Sequence, residues 1–194
     1  MASFIEELME SFGPEVNRSL SANMGLDQKT VGQVIPAIAP LILGGLKRQM
    51  ETRGGADRAD HILNKYGSAD VLNRIDDEIA TRSRDENPDP RLGGLLGDSG
   101  VQAADTISKQ FKIDPSIAMK LIPVLAPIIL GALSNKRDKD GLGSNGIASL
   151  IDQDGDGQIL DDVAGFLMQG LSSSGSGQGG GLLGMLGGLF SKRK

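Results

Sequence analysis

The sequence predicts an all-α protein, a pseudo-symmetric helical bundle built from an internal repeat with proline-kinked apolar helices. Three observations carry this. Two apolar segments, IPAIAPLILGGL at residues 35–46 and IPVLAPIILGAL at 122–133, share eight of twelve residues at a constant offset of 87. The match reaches back through Leu26-Asp27 against Ile113-Asp114. With aromatic residues at only 3%, the core must consist of Ile, Leu, Val, Ala and Met. A duplicated unit whose apolar face cannot be buried alone finds its cover in the other copy.

The first helix starts with a capping box, Ser3 and Glu6, followed by Phe4, Leu8 and Phe12 at intervals of four. Gly13 and Pro14 are expected to close it and open a second helix carrying Val16 and Leu20, which stops near Gly25. Asp27 and Asp114 are N-cap residues, and Pro115 occupies the first helical position, where its missing N–H costs nothing. Each cap launches one of the two apolar helices. Within them Pro36 and Pro40, matched by Pro123 and Pro127, predict a kink or break, since an interior proline costs about 3 kcal/mol. Burial of Ile35, Ile38, Leu41, Ile42 and Leu46 and their counterparts offsets that cost. Gly44 and Gly131, at one position of the repeat, are expected to be close-packing sites between helices.

The duplicated core is expected over residues 1–134, with copies at about 14–46 and 101–133 joined by charged helices and a linker over 47–100. Two amphipathic helices are predicted in that connection, one around residues 56–65 and one carrying Val71, Leu72, Ile75 and Ile79 after Ser68. DENPDPRLGGLLGDSG then reads as linker. An Asp-rich loop and helix follow over 135–171, and a Gly/Ser tether with a Gly/Leu/basic tail over 172–194.

Composition removes several functional classes. The absence of cysteine excludes thiol nucleophiles, thiolate metal sites and disulfides. One histidine, His61, with no GxSxG-type serine, argues against a Ser-His-Asp hydrolase and fits a surface or packing residue. A net charge of −5, with 20 basic residues interleaved among 25 acidic ones, argues against phosphate-driven nucleic-acid binding. The acidic start MASFIEELME lacks the pattern of an export signal, so a cytoplasmic location is expected. The apolar stretches of 13 residues fall short of the ~20 needed to cross a bilayer.

Three segments carry chemistry. In IDQDGDGQILDDV, Asp152, Asp154, Asp156 and Gly157 fill positions 1, 3, 5 and 6 of an EF-hand-type calcium loop, and Gln158 supplies the backbone carbonyl. Position twelve is Val163, so Asp161 or Asp162 must close the cage, and affinity is expected at the weak end, ~10⁻⁴ M. The competing reading is a Gly-Asp turn in which Asp161 or Asp162 caps the helix through Val163, Phe166, Leu167 and Leu171. Second, LSANMGLDQKTVGQVI at residues 20–35 has the layout of a helix-turn-helix DNA reader, yet its second helix runs into a buried segment and only Lys29 is basic. Third, Leu182, Leu183, Met185, Leu186, Leu189 and Phe190, followed by Lys192, Arg193 and Lys194, suit peripheral membrane contact, a groove on a neighbouring subunit, or an unattached tail.

These residues together resemble the bacterial YidB-like family. The resemblance rests on the short N-terminal helix, two copies of the proline-containing apolar helix ending in Gly-Gly-Leu or Gly-Ala-Leu, the Ile-Leu-Asn beside His61, the Asp-Gly loop and the Gly/Leu tail. It implies an all-helical fold of unknown function with no established catalytic motif. The charged stretch 47–60 departs from the family's glycine-richer pattern. The expectation is a non-enzymatic interaction or scaffold protein that self-associates or binds a protein partner, with calcium the one candidate cofactor. The alternative is a helix-turn-helix DNA-binding regulator.

Overall fold

The computed structural model describes residues 4–141 and residue 146, and among them the regular structure is entirely helical. Six α-helices run α1 (Phe4–Met24), α2 (Gln28–Arg53), α3 (Gly55–Tyr66), α4 (Ile75–Ser83), α5 (Asp98–Phe111) and α6 (Pro115–Asp140), with 3₁₀ turns at Ala69–Asn73 and Leu92–Gly94.

The capping residues act as their chemistry predicts. Asp27 accepts hydrogen bonds from the Thr30 amide at 2.9 Å and the Thr30 hydroxyl at 2.5 Å. Asp114 likewise accepts from the Ser116 amide at 2.8 Å and hydroxyl at 2.5 Å. Each cap satisfies amides that the first helical turn leaves unpaired. The turns before them each hold one left-handed residue, Gly25 at φ 68° and Lys112 at φ 54°.

α2 and α6 are both 26 residues long. They pack on one another within the core, and Ile38, Ile42 and Leu46 of α2 and Leu121, Ile122 and Leu125 of α6 are at most 1% exposed. Both helices run through their prolines without a break in the helix. Each is long and apolar enough to cross a membrane, since helical flanks extend the 13-residue stretches counted in the sequence. Yet 61% of the apolar window of α2 and 72% of that of α6 is already buried within this fold.

Three sequence expectations change. α1 continues through Gly13 and Pro14 as one helix of 21 residues. Leu8 and Val16, on either side of the proline, are both buried, and continuous burial outweighs the single lost hydrogen bond. The predicted helix after Ser68 divides. Ser68 accepts from the Asp70 amide and tightens the chain into a 3₁₀ turn, and Arg74, at φ −141°, ends it before α4 begins. In the connection over 47–100, read as charged helices and a linker, residues 47–53 complete α2, and the stretch DENPDPRLGGLLGDSG, read as linker, enters α5 at Asp98. Within it Leu95 and Leu96 are 5% and 4% exposed, so this connection is part of the core.

Candidate functional site

The positions that the sequence marks as special converge on the two long helices and their ends. Gly131 lies where α6 meets the Ser68 end of the 3₁₀ turn, and a Cβ there would stand 2.9 Å from the Ser68 carbonyl oxygen and 3.8 Å from the Val71 Cβ. The expected close-packing role therefore holds for Gly131. In α2 the tightly packed glycine is Gly45, whose Cβ would lie 2.5 Å from Leu96 Cδ2 and 3.1 Å from the Leu95 carbonyl oxygen, whereas Gly44 is half-buried. Gly67, ahead of the 3₁₀ turn, is pressed against the α6 backbone, with its Cβ position 2.7 Å from the carbonyl of Leu130.

Polar contacts that sequence reasoning missed tie down the C-terminal halves of both helices. Lys136 of α6 donates to Glu7 of α1 at 2.6 Å and pairs with Asp140 at 3.3 Å. Those two carboxylates, Glu7 foremost, raise the Lys136 ammonium above its ordinary value. Arg137 is bonded to Asp138 at 2.7 Å and to Asp60 of α3 at 2.9 Å, and Asp138 chiefly raises its pKa. On α2, Gln49 donates to the Gly94 carbonyl at 3.1 Å and Arg48 to the Leu96 carbonyl at 2.9 Å. The one available signal for the α6 pairs was the cationic Lys136-Arg137 in its last turns, where basic residues complement the helix dipole. Partners 129 and 77 residues away left no trace in sequence spacing.

At the helix N-termini, the hydroxyls and amides of Thr30 and Ser116 hold the Asp27 and Asp114 carboxyls below the usual carboxylate range. Gln28, Lys29 and Gln33 are exposed on the first turns of α2, and Gly25 lies in the turn that joins α1 to α2. His61 is exposed on α3, the position of a surface residue.

Among the described residues no three acidic or histidine side chains are grouped closely enough to hold a metal. Asp152, Asp154, Asp156, Gln158 and Asp162, and the tail from Leu182 to the C-terminus, lie outside the described residues. Where α1 crosses α2 and α6, an apolar dimple of about 10 Å³ is lined by Leu8, Phe12, Ile35 and Ile128 among others, room for about one water.

No curated protein and no solved structure matches the chain. The family described as "Bacterial protein of unknown function (DUF937)" matches residues 6–136, a span from the first helix to the Lys136 pairs, in agreement with the YidB-like resemblance. The two apolar segments at 35–46 and 122–133, both aspartate caps and the Glu7–Lys136 pair fall in that span, and the chain belongs to this DUF937 family.

Proposed function

We propose that the chain is a non-enzymatic interaction module, a tandem duplication whose halves pack about a pseudo-twofold axis and whose apolar surfaces support self-association or a protein partner. The observation that carries this reading is the mutual packing of α2 and α6, helices whose bounds are separated by the same 87 residues that separate the sequence copies. The polar contacts support the same axis. Glu7 meets Lys136 in one half, and the residues 87 positions away from each, Gly94 and Gln49, meet in the other. A duplicated apolar surface can exchange partners between chains, which makes a closed dimer the first assembly to test.

In this reading the prolines bend both helices around each other, and the core serves packing rather than substrate binding, in keeping with a dimple that has room for only about one water. The Asp152–Asp154–Asp156 loop adds a low-affinity calcium response in a cytoplasmic protein, and the Gly/Leu/basic tail adds a peripheral contact with a partner or an anionic membrane. Light scattering on the full chain across a hundredfold range of concentration, with and without millimolar calcium, tests the reading. A concentration-dependent dimer supports it. A strict monomer at all concentrations that also retains no protein partner in a pull-down from its bacterial host overturns it.

A DNA-binding regulator is the second reading, favoured by one observation, the exposed Gln28 and Lys29 at the start of α2 beyond the Gly25 turn. Salt-sensitive retardation of duplex DNA would establish it.

A further inference from the structure

We propose that residues 146–171 form a second copy of the α3–3₁₀–α4 unit and fold back onto α2 of the same chain, as the first copy folds onto α6. The inference rests on the pseudo-twofold reading above and extends it to a segment beyond the repeat recognised in the sequence. Seven side chains bury that first unit in the core: Ala59, Ile62 and Leu63 from α3, Val71 and Leu72 from the 3₁₀ turn, Ile75 and Ile79 from α4. Moving 88 positions along the chain gives Ile147, Leu150 and Ile151, then Ile159 and Leu160, then Val163 and Leu167. All seven are apolar in a chain only 39% hydrophobic, and Gly67 falls on Gly155. The shift from 87 to 88 needs one extra residue, which the Gly-Leu-Gly at 141–143 can supply. Gly141 and its counterpart Gly54 both end their helices at positive φ, 60° and 125°.

The receiving surface shows what is missing. α3, the 3₁₀ turn and α4 all pack on α6, and there Ile128 is 1% exposed and Gly131 is buried. Their counterparts on α2, Leu41 and Gly44, are half-buried, with no described element in the equivalent place. The same asymmetry appears beside them. α4 packs along α1, where Val16 and Met24 are buried, whereas the corresponding Ala103 and Phe111 of α5 are half-buried. One segment laid on α2 and α5 accounts for all four positions. It places Gly155 against the backbone of Leu43, as Gly67 sits against Leu130, and puts Asp156 where Ser68 caps the 3₁₀ turn. The occupant is this chain's own segment because it follows α6 in the order in which α3 follows α2.

The absence of cysteine makes the test direct. A Cβ at Gly131 would lie 3.8 Å from that of Val71, within disulfide range, so the matching pair is Gly44→Cys with Ile159→Cys in the full chain. Mild oxidation should give a monomer of altered mobility on a non-reducing gel, reversed by dithiothreitol and absent for Gly44→Cys with Ser176→Cys. No cross-link, or one that appears only between chains, overturns the proposal; light scattering on the same samples reports self-association separately. Because a cysteine at Gly44 could disturb folding, hydroxyl-radical footprinting of otherwise native protein gives a second readout. Leu160→Asp should raise Leu41 oxidation severalfold and leave Leu26, half-buried at the α1–α2 turn, unchanged. Equal Leu41 oxidation in the two proteins overturns docking as well.

Discussion

Two glycine-to-alanine substitutions inside the long helices, at Gly32 and Gly131, should differ clearly in their effect on stability. In a helix interior alanine is favoured over glycine by about 1 kcal/mol. At Gly32 of α2 the added methyl would meet only Asn17 Nδ2 at 3.8 Å, an ordinary contact, so Gly32→Ala should stabilise by up to about 1 kcal/mol. At Gly131 of α6 the same methyl would stand 2.9 Å from the Ser68 carbonyl oxygen, which belongs to backbone and cannot rotate aside. The 3₁₀ turn must then withdraw by roughly half an ångström from a seam packed at interior density, at a cost of about 1–3 kcal/mol. After the helical gain, Gly131→Ala should be neutral to about 2 kcal/mol destabilising, leaving a gap of roughly 1–3 kcal/mol between the two variants. Without tryptophan in the chain, urea unfolding is best followed by far-ultraviolet circular dichroism, comparing midpoints at unchanged slope. If Gly131→Ala gains as much as Gly32→Ala, the contact between α6 and the 3₁₀ turn is not as described.

Ile38→Ala, at an α2 core side chain with 0% exposure, should cost about 2–5 kcal/mol in the same assay, and a loss under about 1 kcal/mol would contradict its burial. Arg137→Met removes the link to Asp60, a pair with 15% and 35% side-chain exposure; discounted for solvent screening it should lower stability by no more than about 1 kcal/mol, less in 0.5 M salt. Asp27 and Asp114 have folded-state pKa values below 3.8, so the stability they contribute is present above that value and is lost as pH falls through their folded pKa. Thermal melts from pH 7 to pH 2 should therefore fall less steeply below about pH 4 for Asp27→Asn with Asp114→Asn than for the native chain. Lys136 has the opposite sign: its raised pKa contributes stability that is complete below 10.5 and fades above it, an alkaline loss that Glu7→Gln should reduce.

The parts of the fold that were legible in the sequence are those specified by local chemistry. Asp27 and Asp114 are legible because a cap needs an acceptor three or four residues ahead of an apolar run, and both caps form as read. The long helices are legible because the same apolar period is written twice. Pro14 misleads because the cost of an interior proline is local while the compensating burial of Leu8 and Val16 comes from elements distant in the chain. Gly44 misleads for a related reason: the repeat identifies equivalent positions, but closeness depends on what lies opposite, and Leu96 chose Gly45. The candidate site was less legible than the fold. Its contacts join Glu7 to Lys136 and Asp60 to Arg137, pairs formed by tertiary packing between ordinary surface charges.

Lys136 and Gln49, 87 positions apart, make different polar contacts, and the proposed duplication predicts how each should respond to substitution. In one half, α1 is helical through Glu7, its backbone groups are engaged within the helix, and a side-chain carboxylate reaches the ammonium. In the other half, the equivalent stretch is the glycine-containing turn around Gly94, whose carbonyl is available, and a neutral amide suffices to bind it. A lysine at position 49 would bring a charge to a site only 6% exposed with a carbonyl as acceptor in place of a carboxylate. Burying a charge without a counter-charge is expensive, so the neutral amide suits that half. The geometry is therefore held by where the donor sits, three residues past Leu46 in one copy and past Leu133 in the other, while its charge follows the acceptor. Gln49→Lys should consequently destabilise more than Lys136→Gln, because the second change leaves a half-exposed Glu7 that water can solvate. Equal losses in the two unfolding curves would mean that the two contacts are not equivalent parts of one repeated design.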